Sequence, residues 1–287
     1  MISPEEWRQI MNIFFTVRRP VREVFSGEYR SCFKGEGIEF DEVREYIPGD
    51  DIRSIDWKVT ARYSRPFIKK FLEERELNLM ILLDSSASLD FGSVKSKKIA
   101  AAELTAALAW AAIINNDRAG MLLYSDRPEK YIRPRKGRHQ ILRMIRDVIN
   151  HPVSSGGTDI AGAMAYLHRM MKKRTILFII SDFYSDDFEL PLKILSSRHD
   201  LVPVVITDPW EENLDAAESF NFKDPETGEE FFLSGGQAEA ANRIAGFENE
   251  KRDKVFSRCS LEPLYISTDR PFIGDLVKYF RKKFRLR

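Results

Sequence analysis

Oxygen-bearing side chains follow two strongly apolar runs of the sequence and also stand at the predicted start of a helix. The run LNLMILL ends at Asp84, which opens the pattern Asp-x-Ser-x-Ser with Ser86 and Ser88. Thr158 follows two glycines, and Asp182 comes directly after TILFIIS. Two carboxylates and three hydroxyls are hard oxygen donors, which suit a hard cation. These five residues therefore predict a metal site.

Mg²⁺ is the predicted metal, with Mn²⁺ and Ca²⁺ as alternatives. Mg²⁺ keeps a near-octahedral shell and accepts only a few protein ligands. Hydroxyls carry no charge, so a shell rich in them leaves the charge of the cation only partly compensated. We expect an open coordination position to accept a carboxylate from a binding partner. A lone Asp-x-Ser-x-Ser is a weak signal, because Ser and Asp often cap helices. The prediction depends on the three segments together.

The order of apolar and helical segments indicates how these donors meet. LNLMILLD, TILFIISD and LVPVVITD have the composition of strands that are buried on both faces. They alternate with helical patterns, which predicts a parallel sheet with helices on both sides. Ligands of such sheets bind at the carboxyl ends of the strands. The predicted fold class is α/β, with a doubly wound, mostly parallel, Rossmann-like sheet over residues 76–287.

Residues 1–75 are predicted to form a smaller, irregular α+β extension. A helix is expected over residues 3–25, with a capping box at its start and a break or kink at Pro20. The highly charged segment 39–62 has two interpretations, a docking surface or a set of ion pairs that holds an irregular segment in place. The second is favoured, with Tyr46 and Trp57 expected as apolar anchors.

Composition excludes several classes of function. Lys and Arg total 45 against 44 for Asp and Glu, a net charge of +1, so no overall field attracts nucleic acid or an acidic membrane. The basic cluster 133–138 and the basic tail 278–287 are expected to be solvated. The two cysteines lack metal-ligand or redox spacing. The chain has no phosphate-binding P-loop, no apolar run long enough to cross a bilayer and no signal-peptide pattern, which predicts a cytoplasmic protein.

The arrangement of Asp84, Ser86, Ser88, Thr158 and Asp182 resembles the metal-ion-dependent adhesion site (MIDAS) of von Willebrand factor A domains. The segment EFDEVREYIPGDDIRSIDWKVTAR resembles the signature of the domain-of-unknown-function 58 family, and the likeness continues through DSSAS and DPETGE. This resemblance implies a partner-binding von Willebrand A-like domain. It also implies pairing with a MoxR-type AAA+ ATPase.

The function expected from the residues and the resemblance is a non-enzymatic, Mg²⁺-dependent protein-binding module. It would act as an adaptor or substrate presenter with a MoxR-type AAA+ ATPase, and a carboxylate of that ATPase or of its client would complete the metal shell. Two alternatives remain. One is a metal-dependent phosphoester hydrolase that uses the same aspartates, although no general base is evident beside them. The other is an RNA-associated A domain, which only the basic clusters favour.

Overall fold

The computed structural model describes residues 3–32, 39–63, 65–72, 77–152, 157–185, 187–212, 214, 220–223, 230–233 and 235–285. The chain forms two compact units, one of residues 1–33 with 78–287 and the other of residues 34–77. The elements in chain order are α1 (Pro4–Cys32), β1 (Glu39–Glu45), α2 (Trp57–Tyr63), β2 (Phe67–Leu72), β3 (Asn78–Asp84), α3 (Lys97–Ile114), β4 (Arg118–Tyr124), β5 (Pro128–Arg135), α4 (Arg138–Ile149), α5 (Ile160–Met170), β6 (Ile176–Ser181), α6 (Glu189–Arg198), β7 (Asp200–Thr207), α7 (Pro209–Glu212), β8 (Phe220–Lys223), β9 (Glu230–Leu233), α8 (Gly235–Arg258), β10 (Leu264–Ser267) and α9 (Ile273–Arg285).

The larger unit is built on a six-stranded sheet with the order β10-β7-β6-β3-β4-β5. Its strands run parallel except β5, which pairs antiparallel with β4 at the edge. β5 is the polar strand with a proline near its end, a composition that edge strands tolerate. The central strands are almost wholly buried because their apolar runs face helices on both sides. The predicted α/β class with a mostly parallel sheet is confirmed.

Helices cover both faces of this sheet. On one face, the Ala-rich α3 packs against α1 and α4, and α1 also packs against α9. On the other face, side chains of α5, α6 and α8 share a core with alternate residues of β6. The alternation is visible in β6 itself, where Leu177 joins that core and Phe178 meets Phe280 of α9 with ring centroids 6.4 Å apart. The period of two along each strand thus divides its side chains between two helical layers.

Helix α1 begins at the predicted capping box. Ser3 Oγ accepts from the backbone N–H of Glu6, and the Ser3 N–H donates to Glu6 Oε2. Of the break or kink expected at Pro20, the break is wrong, because the helix continues to Cys32. Proline removes one backbone hydrogen bond, but Val17 and Val21 on either side of it are buried. That burial also explains why α1 belongs to the compact unit of the sheet, although the sequence boundary groups it with the N-terminal extension.

The smaller unit contains the antiparallel pair β1 and β2, a 3₁₀ turn at Ile52–Ser54 and the short helix α2. It includes an ion pair of the kind expected for this segment, since the guanidinium of Arg44 makes two bonds to Asp50 at 2.7 and 2.9 Å. The expectation that Trp57 anchors the segment is wrong. Its side chain is 69% exposed, whereas Tyr46 is half-buried.

The predicted hairpin near the carboxyl end of the chain is present as the antiparallel strands β8 and β9. Its turn sequence, DPETG, lies outside the described residues. Within the part of the chain that the structure describes, none of the helices combines the length and the apolar character needed to span a bilayer.

Candidate metal centre

The carboxyl ends of β3, β4, β6 and β7 meet at one edge of the sheet because these strands run parallel. The register aligns Asp84 with Tyr124 on β4 and Leu83 with Ile180 on β6. Asp84 and Ser181 consequently end neighbouring strands, and the Ser181 hydroxyl donates to Asp84 Oδ2 at 2.8 Å. The loops that follow Asp84 and Ser181 begin side by side at this edge.

Asp84 is buried at the centre of the edge, with only 1% of its surface exposed. Its Oδ1 accepts from the Ser86 N–H at 2.9 Å, and its Oδ2 accepts from the Tyr124 hydroxyl at 3.4 Å in addition to Ser181. Burial, followed by the nearby carboxylate of Asp182, raises the pKa of Asp84 to about 6. The hydrogen bonds from Ser86 and Ser181 oppose that rise without cancelling it. The structure therefore brings the two predicted aspartates close enough to repel each other.

The hydroxyls of Ser86 and Ser88 lie 3.0 Å apart. Ser86 is buried and precedes the 3₁₀ turn Ala87–Asp90, but its side chain makes no capping hydrogen bond to that turn. Helix capping is the usual reason for a serine at such a position. Because the hydroxyl does not cap, its contacts are instead with Ser88 and with the Asp84 carboxylate at the sheet edge.

Thr158 is half-buried and lies between Gly157, whose φ is +85°, and Asp159. Asp159, not Thr158, is the N-cap of α5, since its Oδ1 accepts from the Gly162 N–H at 2.7 Å. The Asp159 N–H donates to the carbonyl of Ser125 at 2.7 Å, which ties this loop to the end of β4. Thr158 thus belongs to the same edge of the sheet, and its hydroxyl has no capping role.

Asp182 follows β6 and faces a buried cation that the sequence analysis did not single out. Lys97, the first residue of α3, is fully buried, and its Nζ lies 3.4 Å from Asp182 Oδ2 and 2.5 Å from Glu211 Oε1. Three lysines stand in the run VKSKK, and nothing in that run distinguishes the buried one. Only the direction in which α3 leaves the sheet edge places Lys97 between the two acids.

The charges of this cluster do not balance. Burial opposes the ammonium form of Lys97, but the carboxylates of Asp182 and Glu211 together raise its pKa above the usual value. Burial raises the pKa of Glu211, although Lys97 counteracts part of that rise. When all groups are ionised, the three carboxylates of Asp84, Asp182 and Glu211 and the one ammonium give a formal charge of −2. A divalent cation at this edge would balance that charge.

A second buried carboxylate network holds the loop that carries the two serines. Asp208, which follows β7, accepts from the N–H and the hydroxyl of Ser93 at 2.8 and 3.0 Å and from the N–H of Trp210 at 3.0 Å. The Thr268 hydroxyl donates to the same carboxylate. Burial acts to raise the pKa of Asp208, but these hydrogen bonds outweigh it and the pKa is lowered. Asp208 is thus fully satisfied by protein groups and anchors the loop after β3 to the ends of β7 and β10.

A serine, a glutamate and a histidine also meet beside the end of β4, an arrangement that the sequence did not reveal. The Ser125 hydroxyl contacts one carboxylate oxygen of Glu129, and the other oxygen contacts His151 Nε2. In a nucleophilic triad the imidazole must accept the proton of the hydroxyl. Here the Glu129 carboxylate lies between the serine hydroxyl and the imidazole. The three side chains therefore form a structural chain of hydrogen bonds and not a nucleophilic triad.

A groove of about 390 Å³ begins next to Asp182. Its apolar lining residues include Phe183, Phe188 and Val255, and its charged lining residues include Lys251 and Arg252. Arg252 is nearly buried and donates to the backbone carbonyl of Asp182 at 3.3 Å. The loop that carries the candidate ligand Asp182 therefore also forms one side of a groove of the size of a ligand pocket.

These residues fit a hard divalent cation. The predicted donors supply oxygens alone, their serine hydroxyls do not cap helices, and the cluster around them has an excess of negative charge. Among the described residues, three or more His, Cys, Asp or Glu side chains do not cluster in a way that could hold a metal by themselves. Any cation at this edge would consequently depend on the hydroxyls as well as on the two aspartates.

Comparison with known sequences identifies a family. The family model described as "Protein of unknown function DUF58" matches residues 42–254, which include most of the smaller unit's charged segment and the sheet edge. The uncharacterized protein Rv1480 of Mycobacterium tuberculosis is 29% identical over 99% of this chain and 91% of its own length. The uncharacterized protein YeaD of Bacillus subtilis is 35% identical over 36% of this chain and 24% of its own length.

Two solved structures are also similar to this chain. One is the conserved hypothetical protein BatB from Bacteroides thetaiotaomicron, with a TM-score of 0.45 and 13% identity over 74% of this chain and 100% of that one. The other is the SpRpn10 VWA domain, with a TM-score of 0.40 and 15% identity over 71% of this chain and 95% of that one.

Proposed function

The chain belongs to the DUF58 family, and we propose that it is a non-enzymatic protein-binding module whose binding depends on Mg²⁺ at the carboxyl edge of its sheet. The observation that carries the proposal is the buried pair Asp84 and Asp182, which leaves uncompensated negative charge beside hydroxyls that do not cap helices. The ligands would be Asp84, Ser86, Ser88, Thr158 and Asp182, either directly or through water. Mn²⁺ and Ca²⁺ would be accepted by the same oxygens.

The metal would supply a positive charge that attracts a carboxylate of the partner. A buried, unbalanced carboxylate pair binds a divalent cation because the cation removes the repulsion within the pair. Hydroxyl ligands then leave part of the cation's charge available, and a carboxylate is the protein group that best completes such a shell. The groove beside Asp182 is placed to receive side chains that neighbour this carboxylate in the partner.

The partner we propose is an AAA+ ATPase of the MoxR type or one of its clients, with this protein as adaptor or substrate presenter. The family membership supports this choice, since the resemblance of the chain to this family implies such a pairing. The sheet edge supports the mode of contact, because a cation held partly by uncharged hydroxyls would attract a single protruding acidic side chain.

The test is binding of the purified ATPase with and without a chelator. Binding that needs Mg²⁺ and is lost in EDTA and in Ser86→Ala or Thr158→Ala is the expected result. An association through the basic cluster 133–138 or the basic tail would instead weaken steeply with salt and ignore chelation. Undiminished binding of the ATPase in EDTA would contradict the metal-bridged contact. Recovery of RNA in place of the ATPase, lost only at high salt, would favour the RNA-associated alternative.

A further inference from the structure

Three aspartates of the smaller unit's charged segment make contacts within that unit. Asp50 binds the Arg44 guanidinium and also accepts from the Ile47 N–H at 2.9 Å. Asp51 caps the 3₁₀ turn by accepting from the Arg53 N–H at 2.9 Å. Asp56 accepts from two backbone N–H groups at the start of α2, at 3.0 and 3.3 Å. These acids account for the local structure of the segment.

The two faces of α2 differ in composition and in their contacts. Its inner side is fixed to β2, since the Thr60 hydroxyl accepts from the Phe67 N–H at 3.0 Å and Tyr63 packs on the Phe67 ring. Residues 57, 58, 61 and 62 recur at the helical spacing that forms the opposite side. That outer side is exposed along its length and carries Trp57, Lys58, Ala61 and Arg62. It holds an aromatic ring and two cations without an acid.

More apolar surface precedes the helix. Ile47 is 60% exposed and Ile52 is 65% exposed, in the turn that leads to α2. Single exposed apolar side chains are normal on a protein surface, but several large ones in one short segment indicate an interaction site. The aspartates of this segment hold its backbone by hydrogen bonds, while its largest apolar side chains are exposed to solvent. A segment with a purely structural role would be expected to bury those apolar side chains.

We propose that the outer side of α2, with Trp57 as its anchor and Lys58 and Arg62 one helical turn apart along one border, is a docking surface for a protein segment that carries carboxylates beside an apolar side chain. Trp and Arg are the residues that most often contribute the largest part of binding energy at interfaces. Lys58 and Arg62 favour an acidic segment. Opposite charges accelerate association, and the repulsion between like charges disfavours basic partners.

Nucleic acid and a second copy of the chain fit this surface less well. Proteins bind nucleic acid through aromatic rings that stack on bases and many cations that contact phosphates. The exposed apolar residues near α2 include the aliphatic Ile47 and Ile52, which do not stack on bases. The whole chain has a net charge of only +1. A symmetric dimer through this face would place the same residues against each other. Lys58 and Arg62 would then meet their own copies and repel them.

The test uses the full chain in EDTA, so that the sheet-edge site holds no metal and does not contribute. A fluorescein-labelled peptide with glutamates on both sides of Phe and Leu is titrated with protein, and its anisotropy is recorded. The probes for comparison are the same peptide with lysines in place of the glutamates, and an oligouridine RNA. We expect the glutamate peptide to bind, with an affinity that falls as salt is raised.

Trp57→Ala and the double variant Lys58→Glu/Arg62→Glu should each weaken binding by about tenfold or more. The matched controls are Trp7→Ala, an exposed tryptophan of the larger unit, and Arg135→Glu/Arg138→Glu, the same charge change elsewhere. Both controls should stay within about twofold of the parent. Trp57→Phe, which keeps a ring at an exposed position, should fall between the parent and Trp57→Ala.

Three results would overturn the proposal. The first is no binding of the glutamate peptide, or binding that Trp57→Ala does not change. The second is tighter binding of the lysine peptide or the RNA. The third is a concentration-dependent dimer of the parent, seen by sedimentation, that Trp57→Ala dissociates. None of these results would test the metal site, because EDTA keeps that site free of metal.

Discussion

The Nζ of Lys97 lies 3.4 Å from Oδ2 of Asp182, at the sheet edge that carries the candidate metal ligands. The same ammonium is 2.5 Å from Glu211, so one fully buried cation forms ion pairs with two carboxylates. This arrangement lets the buried Asp182 exist without a metal, yet it leaves Asp84 uncompensated. Substitution of Lys97 therefore distinguishes the effect of the protein's own cation from that of an added one.

Replacement of Lys97 by Met should destabilise the protein, because it leaves Asp182 and Glu211 buried without a counter-charge. Breaking a buried ion pair in this way costs about 3–5 kcal/mol. The measurement is urea unfolding in EDTA. Lys98→Met is the matched control: its Nζ is partly exposed and, among the described residues, bonds the His151 carbonyl and, more distantly, Asp90. That variant should lose about 1 kcal/mol or less.

The double variant Lys97→Met/Glu211→Gln should recover part of the stability lost in Lys97→Met, because it removes one of the two orphaned charges. Millimolar Mg²⁺ should stabilise Lys97→Met more than it stabilises the parent, since a cation at the sheet edge would then be the main counter-charge of Asp182. Equal stabilisation of both proteins by Mg²⁺ would argue against a shared site.

Mg²⁺ should raise the melting temperature of the parent protein. A ligand present at ten times its Kd stabilises the folded state by about 1.4 kcal/mol, which corresponds to a rise of roughly 2–4 °C for a domain of this size. Differential scanning calorimetry with Mg²⁺ and Mn²⁺ against EDTA measures the shift. Asp84→Ala should remain folded and show no shift. The metal site would be refuted by a parent protein that does not respond to either cation at millimolar concentration.

Two serines of the same loop should respond oppositely to substitution. Ser86→Ala should weaken Mg²⁺ binding with little loss of stability, because its hydroxyl makes no capping bond. Ser96→Ala should keep Mg²⁺ binding but lose about 1 kcal/mol of stability, because the Ser96 side chain caps α3 by accepting from the Ile99 N–H. Isothermal titration with Mn²⁺ and urea unfolding give the two quantities. Unchanged Mn²⁺ affinity in Ser86→Ala would remove this hydroxyl from the ligand set.

The stability of the metal-free protein should depend on pH through Asp84. Its pKa is raised from 3.8 to about 6 in the folded state, so the folded protein keeps a proton that the unfolded chain releases. The free energy of unfolding in EDTA should therefore be highest below the unfolded pKa and should fall as the pH rises from about 4 to about 6. Asp84→Asn cannot titrate and should flatten this part of the profile. A parent protein whose stability rises steadily over the same range would contradict the raised pKa.

The protein should show no turnover of generic phosphoester, ester or peptide substrates with Mg²⁺ or Mn²⁺. The physical reason is the order of groups beside the site, where the carboxylate of Glu129 stands between Ser125 and His151 and the imidazole does not contact the hydroxyl. Colorimetric assays of the purified protein measure the rate. Activity that disappears in Asp182→Ala would replace the binding module with the metal-dependent hydrolase.

The sequence by itself determined the elements and the edge at which the predicted donors lie. The continuous apolar runs that end at Asp84 and precede Asp182 have the length and composition of strands buried on both faces, and parallel strands bring their carboxyl ends together. The capping box at Ser3 and the helical pattern of α4 were equally readable, because a hydrogen bond three residues away and a period of 3.6 are local properties.

The tertiary structure alone decided the remaining features, because each depends on contacts between segments far apart in the chain. Lys97 and Glu211 become partners only when α3 and α7 leave the same sheet edge. Pro20 remains inside a helix because burial on both sides of it outweighs one lost hydrogen bond. Trp57 was expected inside and is exposed, because Thr60 and Tyr63 supply the contacts of α2 with β2. Hydrophobicity predicts that a tryptophan gains by burial, but only packing decides which side of a helix is covered.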